Sequence, residues 1–166
     1  RPLLASSYKQ SRLEIQNYAS YDSVDRKKEY IFEKVKRLVY FAIKNVPFYT
    51  KYYSLHHFDP DSLKSFDDLE RIPIVSKEIL SKVELEERSC YKKGRYLSFT
   101  GGSTGEPFKF YSDPKQLGHE WAHFHKIWGN YGYKQSDLLL SISLEPNQNP
   151  ILYDAMRNAL VLNIHY

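Results

Sequence analysis

Residues 96–111 read YLSFTGGSTGEPFKFY, and this stretch decides the fold of the chain. Its first four and last four residues are rich in apolar and aromatic side chains, which predicts two short strands. The six positions from Thr100 to Gly105 hold three glycines, two threonines and one serine. Such residues favour turns, so the pattern predicts a glycine-rich loop that joins two strands.

The chemistry of this loop favours a polyphosphate ligand. Glycine lets backbone N–H groups approach a ligand closely, and consecutive N–H groups form concave nests that bind anions. The spacing excludes a Walker loop, because the positions five residues after Gly101 and Gly102 are Glu106 and Pro107. A dinucleotide fingerprint fails on spacing too. On composition alone, an ordinary glycine-rich hairpin turn uses the same residues and remains an alternative.

Residues 100–107, TGGSTGEP, resemble the phosphate-binding signature of adenylate-forming enzymes, usually written T-S-G-S/T-T-G-x-P. Four further segments recur in the order found in the phenylacetate–CoA ligase and CapK-like branch: NVPFY at 45–49, SFDDL at 65–69, RIPI at 71–74 and SKE at 76–78. The resemblance covers the chain from about Tyr30 onward. Two positions depart from the pattern, since Gly101 replaces the usual serine and Phe108 replaces a common lysine.

The resemblance implies an α/β fold, in which a helical N-terminal lead-in precedes the first strands and helices of the large domain of an adenylate-forming enzyme. It implies an ATP-dependent acyl-activating ligase, with Mg²⁺, a small-molecule carboxylate substrate and coenzyme A as one acceptor. The branch is associated with capsule polysaccharide biosynthesis. The residues expected to bind ATP are Thr100, Gly101, Gly102, Ser103, Thr104 and Gly105.

Length limits this expectation. The resembled enzymes are much longer than 166 residues, and their later motifs for adenine, ribose, the hinge and the adenylation lysine do not appear after Gly105. We therefore expect an N-terminal piece that is inactive alone, and we assign no catalytic residue. In that piece the helices before Tyr96 are expected to be scaffold or a homodimer surface. The alternative is a non-catalytic truncated interaction module.

The composition is that of a globular chain, with 42% hydrophobic and 27% charged residues and a net charge of +4. No apolar run is long enough for a membrane span, and the first twenty residues lack the apolar segment of a secretory signal. Cys90 is the single cysteine, so we predict a cytoplasmic location.

The 15 tyrosines are spread along the chain, which argues against nucleic-acid binding. A basic cluster, Lys92, Lys93 and Arg95, precedes the loop and could attract ATP.

The pattern predicts two regions, residues 1–95 mainly helical and residues 96–166 with mixed strands and helices. The resemblance implies that the second region is the start of an α/β AMP-binding domain with the glycine-rich phosphate loop. The first 24 residues show no clear period and predict a loose lead-in, whereas 26–44 follow a helical rhythm that Pro47 ends. The other predicted elements are short helices through Tyr53, at 66–70 and at 77–82, a turn at 59–61, and strands at 96–99, 108–111, 138–142 and 160–164. Two more helices are predicted, one at 114–130 with Asp113 as its N-cap and one at 154–159.

A second motif competes with the loop. His119, Glu120 and His123 match H-E-x-x-H on a predicted helix, where two histidines four residues apart could bind zinc and Glu120 could act as a general base. A catalytic zinc needs a third ligand, and His125 lies on another side of the helix. Nothing in the spacing recommends His165 or Glu145. We therefore predict no metal ligands and keep a zinc hydrolase as the less favoured alternative.

Overall fold

The structure is a computed structural model that describes residues 2–100, 107–144, 149–155 and 157–164. Its α-helices are α1 (Pro2–Ser20), α2 (Val24–Asn45), α3 (Pro47–Leu55), α4 (Lys77–Ser81) and α5 (Gln116–Gly129), and 3₁₀ helices span Pro60–Ser62 and Phe66–Arg71. Its strands are β1 (Tyr96–Phe99), β2 (Lys109–Ser112), β3 (Leu139–Ser143), β4 (Ile151–Asp154) and β5 (Ala159–Asn163). The chain therefore mixes helices and strands, as predicted.

Two compact units divide the chain. One contains Arg1–Arg12 and Leu117–Tyr166, and the other contains Leu13–Gln116. Helices α1 to α4 all precede residue 96, and the first strand begins there, so helices dominate the region predicted as helical. The compact units cut the chain at other positions, and the domain boundary at 95/96 stays a prediction. None of the helices in the described part of the chain is long and apolar enough to cross a bilayer.

Side-chain caps fix the starts of α2 and α4, and α2 ends ahead of Pro47 as the sequence predicted. The side chain of Ser23 accepts a hydrogen bond from the backbone N–H of Arg26 and so caps α2. This helix ends just before Pro47, which begins α3. Ser76 caps α4 in the same way as Ser23 caps α2. Local chemistry therefore sets these boundaries.

The unit Leu13–Gln116 has its core where α2, α3 and the following turn meet. Phe32 and Val39 of α2 are buried, as are Phe48 and Tyr53 of α3. Leu63, after the first 3₁₀ helix, is completely buried. These apolar side chains supply the main hydrophobic contribution to the stability of this unit.

The loose lead-in predicted for the first 24 residues is wrong, because α1 occupies most of that stretch. The packing face of α1 includes two small polar residues, Ser7 and Ser11, that are almost fully buried. Gly118 of α5 lies directly against Ser7, and Ala122 one turn further along α5 is buried too. Since periodicity detects only apolar faces, a serine face that packs on a distant helix leaves no such signal.

The predicted start of α5 at Pro114 is also wrong by two residues. The side chain of Asp113 accepts from the backbone N–H of Lys115 at 3.0 Å, and its carbonyl accepts from Gln116 at 2.8 Å. These bonds make a turn ahead of the helix. Asp113 also forms an ion pair with Lys92, which holds this carboxylate outside the first helical turn.

The C-terminal strands form a three-stranded sheet in the order β3-β5-β4. β3 and β5 are parallel, and β4 and β5 are antiparallel. The strands predicted at 138–142 and 160–164 are confirmed within one residue at each end. Strand β4 was not predicted, and it takes the place of the helix expected between two parallel strands.

The helix predicted at 154–159 is wrong, because a tight turn joins β4 to β5 there. Asp154 accepts a hydrogen bond from the backbone N–H of Arg157 at 3.1 Å. Asn158 has a φ of 52°, and its side-chain amide donates to two backbone carbonyls ahead of β3. Asparagine tolerates this left-handed conformation better than most residues, which makes it a turn residue here.

The two faces of this sheet differ in exposure. Ala159, Val161 and Asn163 of β5 are buried on one face. A cleft of about 680 Å³ lies between α5 and the sheet, with Trp121 and Trp128 in its wall. The opposite face carries exposed apolar side chains from the two outer strands, namely Leu140, Ile142, Ile151 and Tyr153.

Candidate functional site

The candidate site is the hairpin formed by β1 and β2. The strands pair antiparallel, with Tyr96 opposite Ser112 and Phe99 opposite Lys109. The glycine-rich segment is therefore the connection between two paired strands, as the flanking sequence predicted. No helix follows the segment directly, so its ligand chemistry depends on backbone N–H groups, hydroxyls and neighbouring cations.

Thr100 and Phe108 close the base of this connection. The backbone N–H of Thr100 donates to the carbonyl of Phe108 at 3.0 Å. In return, the backbone N–H of Phe108 donates to Oγ1 of Thr100 at 3.1 Å. A hydroxyl has one proton to donate and can accept twice, so Thr100 retains a donor for a ligand.

Of the predicted binding residues, Thr100 is the one whose position the structure describes. It lies exposed at the end of β1. The other five lie outside the described residues: Gly101, Gly102, Ser103, Thr104 and Gly105. Their assignment to a phosphate stays a prediction from sequence, and the described geometry fixes only where their connection begins and ends.

A polar triad of Glu86, Arg95 and Tyr111 links β2 to the segment before β1. The hydroxyl of Tyr111 donates to Oε1 of Glu86 at 2.6 Å, and the guanidinium of Arg95 pairs with the same carboxylate. Arg95 also lies 3.8 Å from the centre of the Tyr111 ring and donates to the carbonyl of Cys90 at 2.8 Å. Three interactions thus converge on the largely buried Arg95 side chain.

The triad changes the acidity of its members. The hydrogen bond from Tyr111, followed by that from Arg95, lowers the pKa of the Glu86 carboxyl. The hydrogen bond to Glu86 raises the pKa of the Tyr111 phenol. Glu86 therefore stays ionised and Tyr111 stays neutral near neutral pH, which preserves the ion pair with Arg95 and the hydrogen bond from Tyr111.

Arg88, which precedes β1 in the sequence, contacts Phe108 at the C-terminal end of the glycine-rich connection. Its guanidinium carbon is 4.2 Å from the centre of the Phe108 ring, and its Nε donates to the carbonyl of Val83 at 3.0 Å. Phe108 is the residue that closes the connection with Thr100. A cation is thus held over Phe108, which together with Thr100 closes the base of the glycine-rich segment.

The predicted basic cluster is largely neutralised. Lys92 pairs with Asp113, and Arg95 pairs with Glu86. Lys93 has no ion pair with any carboxylate that the structure describes. The cluster therefore adds less positive potential near the loop than three unpaired cations would, because paired charges cancel at a distance.

The H-E-x-x-H motif lies on α5 as predicted, but its histidines are used in other contacts. Nδ1 of His119 shares a hydrogen bond with the Ser11 hydroxyl of α1. Nδ1 of His123 donates to the carbonyl of His119 at 2.8 Å, within the helix. The described residues include no group of three or more histidine, cysteine or acidic side chains that could hold a metal ion. Glu145 and His165 lie outside the described residues.

Sequence reasoning missed Arg88, Glu86 and Tyr111 as parts of this site. Arg88 contacts Phe108 across twenty positions, and Glu86 contacts Tyr111 across 25. No short spacing links these pairs. The sequence shows many charged and aromatic residues on both sides of the loop. This density does not indicate which of them contact each other or how the segments align.

Comparisons of the chain with protein-family models, with curated proteins and with solved structures found no significant match. The resemblance to adenylate-forming enzymes therefore rests on the motifs in the sequence. The hairpin geometry is compatible with those motifs, and the family assignment stays a prediction.

Proposed function

We propose that this chain contributes the phosphate-binding loop of an ATP-dependent, acyl-activating ligase of the adenylate-forming type. The observation that carries the proposal is the position of the TGGSTGEP segment between two paired strands, with Thr100 and Phe108 closing its base. A strand–loop–strand arrangement holds the ends of a donor-rich segment together. Preorganised donors can then stabilise a polyphosphate without a reorganisation cost.

In this proposal the loop supplies two kinds of donor. The hydroxyls of Thr100, Ser103 and Thr104 donate to the β- and γ-phosphates, and the glycines of the loop present backbone N–H groups. Mg²⁺, when bound, lowers the negative charge on the triphosphate. In the parent enzyme the carboxylate substrate would attack the α-phosphate and displace pyrophosphate, which gives an acyl-adenylate, and a thiol such as coenzyme A would then accept the acyl group with release of AMP.

The surroundings of the hairpin support this role. The Glu86–Arg95–Tyr111 triad restrains β2, the strand that follows the connection. The exposed apolar face of the β3-β5-β4 sheet adds independent support. Sheets of large α/β domains bury both faces, and a face with Leu140 and Ile142 exposed is typical of a sheet that further structure covers.

Nucleotide titration of the chain tests the proposal. Isothermal calorimetry with MgATP should detect weak binding, and the Ser103→Ala/Thr104→Ala variant should weaken it by about tenfold, because two donors to phosphate are lost. The matched control is Ser54→Ala/Ser81→Ala, which removes two exposed hydroxyls elsewhere. A wild-type chain that binds no MgATP would favour the non-catalytic interaction module instead.

A further inference from the structure

We propose that Arg88 is a second phosphate-binding element, which contacts the polyphosphate chain of the nucleotide beside the glycine-rich loop. This inference rests on the proposed function. It adds a residue that lies outside the TGGSTGEP motif and that sequence patterns did not identify. The chemical class of ligand is a nucleoside di- or triphosphate.

The position of Arg88 is the first argument. Its guanidinium lies over the ring of Phe108, which is hydrogen-bonded to Thr100 at the point where the loop begins and ends. The Nε–H bond to the carbonyl of Val83 restrains the guanidinium in this place. The cation is therefore anchored at the loop base and does not depend on a ligand to order it.

The charge balance around the hairpin is the second argument. The side chains of Lys92 and Arg95 are paired with carboxylates, but Arg88 forms no ion pair with any carboxylate among the described residues. An arginine is always charged, and an aromatic ring offsets that charge only in part. A restrained guanidinium without a carboxylate favours an anionic partner.

The remaining donors of Arg88 are the third argument. Nε is committed to Val83, whereas the two terminal amino groups have no hydrogen bond to any described atom. These groups form a planar fork that suits two phosphate oxygens. Arg95 suits this role less well, because each of its amino groups already makes one hydrogen bond, to Cys90 or Glu86, and the Glu86 carboxylate offsets its charge.

Binding measurements on two charge-matched variants separate this role from simple packing. Arg88→Gln keeps a polar side chain and removes the charge, and Lys44→Gln makes the same change in net charge at an exposed site in the last turn of α2. We expect Arg88→Gln to weaken MgATP and MgADP binding by about tenfold and AMP binding by less than about twofold. Lys44→Gln should stay within about twofold for all three nucleotides.

An NMR experiment on the wild-type chain provides a readout that needs no variant. The Nε–Hε resonance of Arg88 should shift when MgATP is added and stay in place when AMP is added. Equal loss of affinity for ATP and AMP in Arg88→Gln, or an unmoved resonance, would overturn the inference. If MgATP binds and Ser103→Ala/Thr104→Ala weakens it while Arg88→Gln does not, only this inference fails. If wild type binds no MgATP, the proposed function fails with it.

Discussion

Substituting Gly118 by alanine is expected to destabilise the unit formed by Arg1–Arg12 and Leu117–Tyr166, in which the start of α1 packs on α5. A Cβ atom at this position would lie 2.1 Å from Oγ of Ser7, 2.9 Å from the backbone nitrogen of Tyr8 and 3.1 Å from Cβ of Ser7. Ser7 can rotate its hydroxyl away. The backbone of Tyr8 cannot move unless α1 moves, so the two helices must separate or shift.

Two opposing effects set the magnitude. Overpacking of this kind costs about 1–3 kcal/mol. Alanine in place of glycine inside a helix gains up to about 1 kcal/mol, and less near a helix end such as this one. The cost wins, so Gly118→Ala should lower the free energy of unfolding by about 1–2 kcal/mol. With a urea m-value of about 1–3 kcal/mol/M, the midpoint should fall by roughly 0.5–1 M.

Urea unfolding followed by tryptophan fluorescence measures this effect, since Trp121 and Trp128 both lie on α5. Gly129→Ala is the matched control, because a Cβ there meets nothing within 4 Å. It should leave the midpoint unchanged or raise it. Adding Ser7→Ala to Gly118→Ala should recover part of the loss, since the nearest clashing atom disappears. If Gly118→Ala proves as stable as Gly129→Ala, the close packing of α1 on α5 is refuted.

Two further predictions concern single side chains. The hydroxyl of Ser76 caps α4 by accepting from the backbone N–H of Ile79 at 3.3 Å. Ser76→Ala removes this cap and should lower the free energy of unfolding in urea by about 1 kcal/mol. A loss near zero would show that the cap does not stabilise the chain. Burial lowers the pKa of His125, followed by a smaller effect of Arg12, so the folded state favours the neutral imidazole. The stability that this gives is present above the unfolded pKa of about 6.5 and is lost as pH falls through the lower folded pKa. Wild type should therefore lose stability on acidification, and His125→Gln should lose less; identical pH profiles would contradict the burial argument.

The elements that sequence could predict are those fixed by neighbours along the chain. The rhythm from Arg26 to Lys44 and the stop at Pro47 define α2 without help from distant residues. The hairpin follows from two aromatic strands around a glycine-rich connection. In each case the determining residues lie within a few turns or a single loop, where propensity and pattern act directly.

The elements that sequence could not predict depend on distant partners or on a single side chain. The serine face of α1 can pack closely because it lies against Gly118, which is more than a hundred residues away in the sequence. The turn before β5 depends on Asn158 adopting a positive φ, which overrides a locally helical pattern. The same holds for Arg88, whose place at the loop base comes from its contact with Phe108.

The most direct measurement of the central claim is an amide NMR titration of the isotope-labelled chain with MgATP. Binding of the triphosphate by the hairpin connection predicts that the largest shifts occur at the backbone amides of residues 100–105 and at Phe108. Saturating MgATP that leaves these amides unmoved, or that shifts only residues of the β3-β5-β4 sheet, would contradict the assignment of the phosphate-binding loop.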